Sequence, residues 1–202
     1  MEQPRIAPGG LRDIGVVNYG FSAVAGRVVG GSKPHVFTTL GRQRRLFRAW
    51  LFFSGRLMPG GMLPRRESEL VILRIATLRD CEYERRHHLR IGRRVGVTDE
   101  QIDHLDDLDW PGWSPRERAL LVVATQLVTT KAVDDDAWST LRTHLDEPRT
   151  IELLLLCGQY DSLATTLLTL RVQPETPSDP SVSRGWRASL RRGRPARGSA
   201  PG

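Results

Sequence analysis

Apolar residues recur at three- and four-residue intervals along most of this chain, and no stretch alternates apolar with polar residues as a half-buried strand would. That periodicity predicts an all-α fold. From Val36 to Leu57 the residues Phe37, Leu40, Phe47, Trp50, Leu51, Phe53 and Leu57 predict one amphipathic helix, which Pro59, Gly60 and Gly61 end. Pro64 opens the next, with Leu70, Val71, Leu73, Ile75, Ala76 and Leu78 on its apolar side. Asp80 is the expected N-cap of a third helix, Cys81 to Val95, closed by Gly96. Thr98 with Gln101, and Ser114 with Glu117, have the spacing of capping boxes. Asp134 to Leu145 and Pro148 to Leu170 complete the series, and the last run is apolar enough to suggest a central position. Between Leu11 and Val29, Gly15, Gly20 and Gly26 weaken the helical pattern.

One domain over 11–174 fits a length of 202 residues, with 1–10 a flexible lead-in and 175–202 a disordered basic tail. The net charge of +7 suggests a nucleic-acid binder until its placement is considered. Residues 177–202 hold six arginines against Asp179 alone, so the other 176 residues are nearly balanced. Arg42, Arg44, Arg45 and Arg48 lack interleaved aromatics of a nucleic-acid motif and read as a solvated face or an oligomer contact. No run reaches the ~18 apolar residues of a membrane span, and Met1 to Gly10 lacks a signal peptide's apolar centre. Two cysteines make no disulfide framework, so the expectation is a cytoplasmic protein with reduced thiols.

The chemistry concentrates in two neighbouring helices. Cys81, Glu84 and His88 are spaced by three and four residues, which puts a thiol, a carboxylate and an imidazole on one helical face. Glu69 lies among Leu70, Ile72 and Leu73, where a carboxylate must be exposed or paired. Spacing alone is equally compatible with an exposed Glu84–His88 pair and with Cys81 as a small buried hydrophobe. Glu84 and His87 also spell Glu-x-x-His, an element of di-iron bundles, but a single copy does not make such a site.

The segment Leu63 to Gly96, LPRRESELVILRIATLRDCEYERRHHLRIGRRVG, resembles the central motif of the carboxymuconolactone decarboxylase-like and alkylhydroperoxidase D (AhpD)-like superfamily. The resemblance implies an AhpD-like antiparallel bundle of about seven or eight helices, associating into trimers or hexamers. In the AhpD branch a glutamate stands twelve residues before a Cys-x-x-Cys pair, with a histidine four residues after it. Those positions fall on Glu69, Cys81 and His88, but the second cysteine is Glu84, and Tyr83 stands where that branch often has another histidine. Dithiol–disulfide cycling then lacks a sulfur, unless Cys157 lies with its Cα within ~7 Å of Cys81. The decarboxylase-like branch lacks the cysteine pair and keeps Tyr-Glu and histidine. The resemblance therefore implies a cofactor-free enzyme without a metal, in which His88 and Glu69 or Glu84 exchange protons on a small carboxylate or lactone. In that reading Arg66 or Arg74 grips a substrate carboxylate and Tyr83 donates to an oxyanion. The alternative is hydroperoxide reduction or redox sensing by Cys81.

Overall fold

The computed structural model describes residues 3–28 and 33–175. Among the described residues there are nine α-helices and no strand: α1 Leu11–Val28, α2 His35–Leu40, α3 Arg44–Leu57, α4 Arg65–Leu78, α5 Glu82–Arg94, α6 Asp99–Asp103, α7 Pro115–Thr129, α8 Asp135–Arg142 and α9 Glu147–Leu170. The expected basic tail, beyond Glu175, lies outside them.

Helix α4 is the axis of the bundle. Every residue from Ser68 to Ala76 is buried, and α5, α7 and α9 pack around it. A helix enclosed on all sides cannot send its polar residues to water, so Glu69 and Arg74 must find partners inside the protein. The central place suggested for the last helix thus belongs to α4. In α9, Leu153, Leu156 and Leu167 are buried while Ile151 and Leu155 face outward.

The single helix expected over Val36 to Leu57 is two, α2 and α3, because the chain turns at Gly41. A Cβ there would sit 2.5 Å from the Phe37 carbonyl oxygen and 3.3 Å from Ile14, so only glycine lets the turn press on α1. Buried Asn18 of α1 donates to the Gly41 carbonyl at 3.3 Å, and the Gln43 side chain then caps α3. Helix α1 forms despite its glycines, with Gly15 taking φ 79° at a kink. The lead-in expected to be flexible is tied down: Arg5 N–H donates to Leu170 O and Gly9 N–H to Thr38 O, both at 2.9 Å.

Asp80 is not the cap of α5. It adopts the left-handed conformation, φ 51°, that ends α4, while the Cys81 N–H reaches back to Ala76 O at 2.9 Å. An N-cap needs extended backbone, so the role passes to Cys81 and α5 starts at Glu82. Gly96 ends α5 with φ 94°, and both capping boxes form, at Thr98–Gln101 and Ser114–Glu117.

Candidate active site

The tight turn at Asp80 folds α5 back along α4 and brings Glu69 against His88. Glu69 is fully buried; its Oε2 lies 2.6 Å from His88 Nδ1, and its Oε1 lies 2.9 Å from Arg65 Nη2, one turn earlier on α4. A carboxylate only accepts, so Nδ1 carries the proton and donates, and whenever the ring is neutral its lone pair lies on Nε2. Among the described residues Nε2 has no partner in the chain, and the ring is 12% exposed. Tyr160 of α9 closes one side, its ring edge-on to His88 with centroids 5.1 Å apart.

Glu84, one turn before His88, is 2% exposed, and neither carboxyl oxygen has a hydrogen-bond partner. Burial, and then the negative charge of Asp161, push its acid up to about 8, so it holds its proton at neutral pH. Burial also pushes the Tyr160 phenol far above its ordinary range, assisted by the charges of Glu69 and Glu84. Glu69 Oε1 and Arg65 Nη1 are also buried without a hydrogen bond, as are Thr39 Oγ1 and Arg90 Nε; the Arg65–Glu69 ion pair is close but not aligned as one.

Cys81 lies at the same end of α5, wholly buried among Val36, Tyr83, Ala164 and Leu167. Burial first, and then Glu84, push its thiol up to about 12, which outweighs the lowering by the Glu84 and Tyr83 backbone N–H groups. The thiol is therefore protonated at neutral pH. Cys157 is also a free thiol and packs in a different part of the core, with Val71, Ile72 and Leu153.

Three expected substrate-binding residues are occupied elsewhere. Arg66 donates to Glu117 at 2.6 Å, Gln101 at 2.8 Å and Gly96 O at 2.9 Å, locking α4 to the starts of α6 and α7. Arg74 donates to Leu105 O at 2.5 Å and Thr125 Oγ1 at 3.0 Å. Tyr83 donates to Glu175 at 2.8 Å and accepts from Val36 N–H at 2.9 Å. Each looked available in sequence because the partners are remote along the chain. His87 turns to Glu175 at 2.8 Å, so the Glu-x-x-His pair does not converge on a common point. Arg74→Ala should cost about 3 kcal/mol by leaving buried acceptors unpaired, read as a lower urea midpoint. Loss of substrate affinity at unchanged stability would instead restore its binding role.

Arg65 and Tyr160 are the residues sequence reasoning passed over. Arg65 precedes Glu69 by four residues, a spacing that signals a helical ion pair. Tyr160 sits between Gln159 and Asp161 in the last helix, with no spacing that ties it to α5.

The Carboxymuconolactone decarboxylase family profile matches residues 44–126, which include Arg65, Glu69, Cys81, Glu84 and His88. That match, with the folds of solved neighbours, supports a place in the carboxymuconolactone decarboxylase and AhpD-like superfamily. The uncharacterized protein YdfG of Bacillus subtilis (strain 168) is 28% identical over 103 residues, spanning 48% of this chain and 69% of YdfG. Among solved structures, the alkylhydroperoxidase AhpD core of an uncharacterized peroxidase-related protein from Ralstonia eutropha JMP134 superposes with a TM-score of 0.75. It is 20% identical, with 87% of this chain and 94% of that one covered. The debrominase Bmp8 gives a TM-score of 0.73 at 18% identity, with 92% and 96% covered. At these identities the likenesses establish the AhpD-like fold, and the superfamily sequence signature lies on the helices that carry the site.

Proposed function

We propose that this protein is a cofactor-free acid–base enzyme acting at the carbon beside the carbonyl of a small carboxylate or lactone. The observation that carries the reading is the buried Glu69–His88 pair with Arg65 on the other carboxylate oxygen and Tyr160 against the ring, beside buried polar atoms without partners in Glu69, Arg65 and, one turn before His88, Glu84. Buried polar groups without partners destabilise a fold by about 1–3 kcal/mol each, and a substrate offering complementary groups relieves that cost.

In the proposed step His88 Nε2 removes the proton from the substrate carbon, and the electron pair of that C–H bond moves into the adjacent carbonyl as an enolate. Glu69 keeps the imidazole oriented and stabilises the imidazolium that forms. The protonated Glu84 carboxyl and the Tyr160 hydroxyl donate to the enolate oxygen. Arg65 Nη1, in place of Arg66 or Arg74, faces the substrate carboxylate. Return of the proton from His88 to carbon regenerates the enzyme.

A thiol reading has one observation in its favour, the position of Cys81 at the start of α5. Its burial and protonated thiol weigh against it, as does the lack of a neighbouring second cysteine. The discriminating experiment assays small lactone carboxylates and organic hydroperoxides, the latter with an added dithiol, for the parent and Cys81→Ser. The acid–base account expects turnover, or solvent deuterium entering carbon, with the lactone carboxylates, and at most a twofold change in Cys81→Ser. Hydroperoxide turnover that vanishes in Cys81→Ser would replace it with thiol chemistry.

A further inference from the structure

No aspartate or glutamate stands between Asp13 and Glu67. Those 53 residues carry eight arginines and a lysine, whereas residues 67–176 hold 20 acids against 13 bases. The acid-free stretch takes in most of α1 and all of α2 and α3, which pack on one another, so the fold gathers positive charge into one lobe and leaves the body negative. The acids at either end of the stretch are already taken, Asp13 by Arg42 and Glu67 by Arg116. Arg45 and Arg48 of α3 are exposed and have no ion pair among the described residues.

The same lobe exposes apolar side chains. Helix α3 buries Phe47 and Leu57 and turns outward the row Arg45, Ala49, Phe52 and Arg56, spaced by four, three and four residues. Phe52 is 69% exposed, with the Arg56 guanidinium 5.3 Å from its ring centroid, and Leu46 on the flank of the row is 64% exposed. The adjoining α1 adds exposed Val16 and Val17. Exposed apolar area interleaved with cations alone, and with no carboxylate, is complementary to a surface that is apolar beneath and anionic on top.

We propose that the α1–α3 lobe docks on an anionic lipid bilayer through the outward face of α3. Phe52 and Leu46 enter the boundary between headgroups and acyl chains, and Arg45, Arg48 and Arg56 meet lipid phosphates. The long arginine stems keep the charges at headgroup level while the neighbouring apolar groups go deeper. The negative body is repelled by the same surface, which turns the lobe toward it.

The other occupants fit less well. A second copy docking through this face would set arginines against arginines. A nucleic acid would engage the arginines and leave Leu46 and Ala49 uncovered, since its backbone offers them only phosphate and sugar. Residues 177–202, with six arginines against one acid, are repelled by the lobe.

The test is flotation of the full chain with phosphatidylcholine–phosphatidylglycerol vesicles, beside vesicles of phosphatidylcholine alone. The chain should float with the anionic vesicles and not the neutral ones, and salt should weaken the binding. Residues 177–202 also attract anions, so the apolar contact discriminates. Phe52→Ser combined with Leu46→Ser should lower partition onto anionic vesicles by roughly 10- to 100-fold, with the helical circular dichroism unchanged because both side chains are exposed. Should that variant misfold, Phe52→Cys carrying an environment-sensitive fluorophore still decides. Cys81 and Cys157 are buried, so the label goes to position 52, and its emission should shift to shorter wavelength on anionic vesicles. A parent that does not float, equal partition onto neutral vesicles, partition unchanged in the double serine variant, or an unshifted fluorophore would each overturn the proposal. A fall in mass of the double variant by light scattering would assign the face to a second copy instead, and weakened binding of the double variant to duplex DNA would assign it to a nucleic acid.

Discussion

His88→Ala lowers kcat/KM by about a thousandfold, within the 10²–10⁴ range for loss of a positioned general base. The fold should survive, because the ring contributes one hydrogen bond and an edge-on contact with Tyr160. Glu69→Gln separates orientation from proton transfer. The amide holds the ring less selectively than a carboxylate, since it can present either its oxygen or its NH2 to Nδ1, so the fraction of rings with Nε2 free to accept falls. The expected loss is smaller than for His88→Ala and falls mainly in kcat. Steady-state kinetics on the substrate identified by the lactone carboxylate panel read both numbers; wild-type turnover in His88→Ala removes the imidazole from the mechanism.

The second large effect concerns stability and has a definite sign. Glu84 is held up to about 8 in the folded chain, against an ordinary value of 4.5. Below the lower value both states are protonated and the group contributes no pH dependence. As pH rises from there toward 8 the unfolded chain releases this proton while the folded chain retains it, so stability falls, and above 8 the penalty is constant. Glu84→Gln removes the titration and keeps the shape. It should match the parent near pH 4 and exceed it by on the order of 3–5 kcal/mol near pH 9. Urea unfolding of both proteins at the two pH values checks this, and parallel pH profiles would mean that Glu84 is solvated. Glu175 acts in the opposite sense: paired with His87 and held down to about 2, it contributes stability that is lost as pH falls toward that value. Comparing parent with Glu84→Gln cancels that contribution.

The helical architecture was legible because apolar spacing and capping chemistry agree, as at Ser114–Glu117, where the sequence box and the hydrogen bonds coincide. The break at Gly41 was not, because the turn is seated against Ile14 and the Asn18 amide, both far away in sequence. The cap at Asp80 was misassigned because aspartate suits both an N-cap and a left-handed helix end, and the closure of α4 decided between them. Within the site, Glu69 and His88 could be named from an acid out of place in an apolar helix and from the family spacing. Arg66 and Arg74 look in sequence like arginines waiting for a ligand because their partners, Glu117 and Gln101 for the first and Leu105 O and Thr125 for the second, lie far along the chain. Tyr160 enters only through the packing of α9 across α4 and α5, a contact that no local pattern encodes.

The central claim is that Glu69 holds His88 with Nδ1 protonated and Nε2 free to accept a proton, and it can be tested without knowing the substrate. Nitrogen-15 NMR of the histidine ring at a pH where the imidazole is neutral should find the proton on Nδ1 of His88 in the parent, and a loss of that preference in Glu69→Gln. A His88 ring that carries its proton on Nε2, or that is indifferent to Glu69→Gln, would contradict the account.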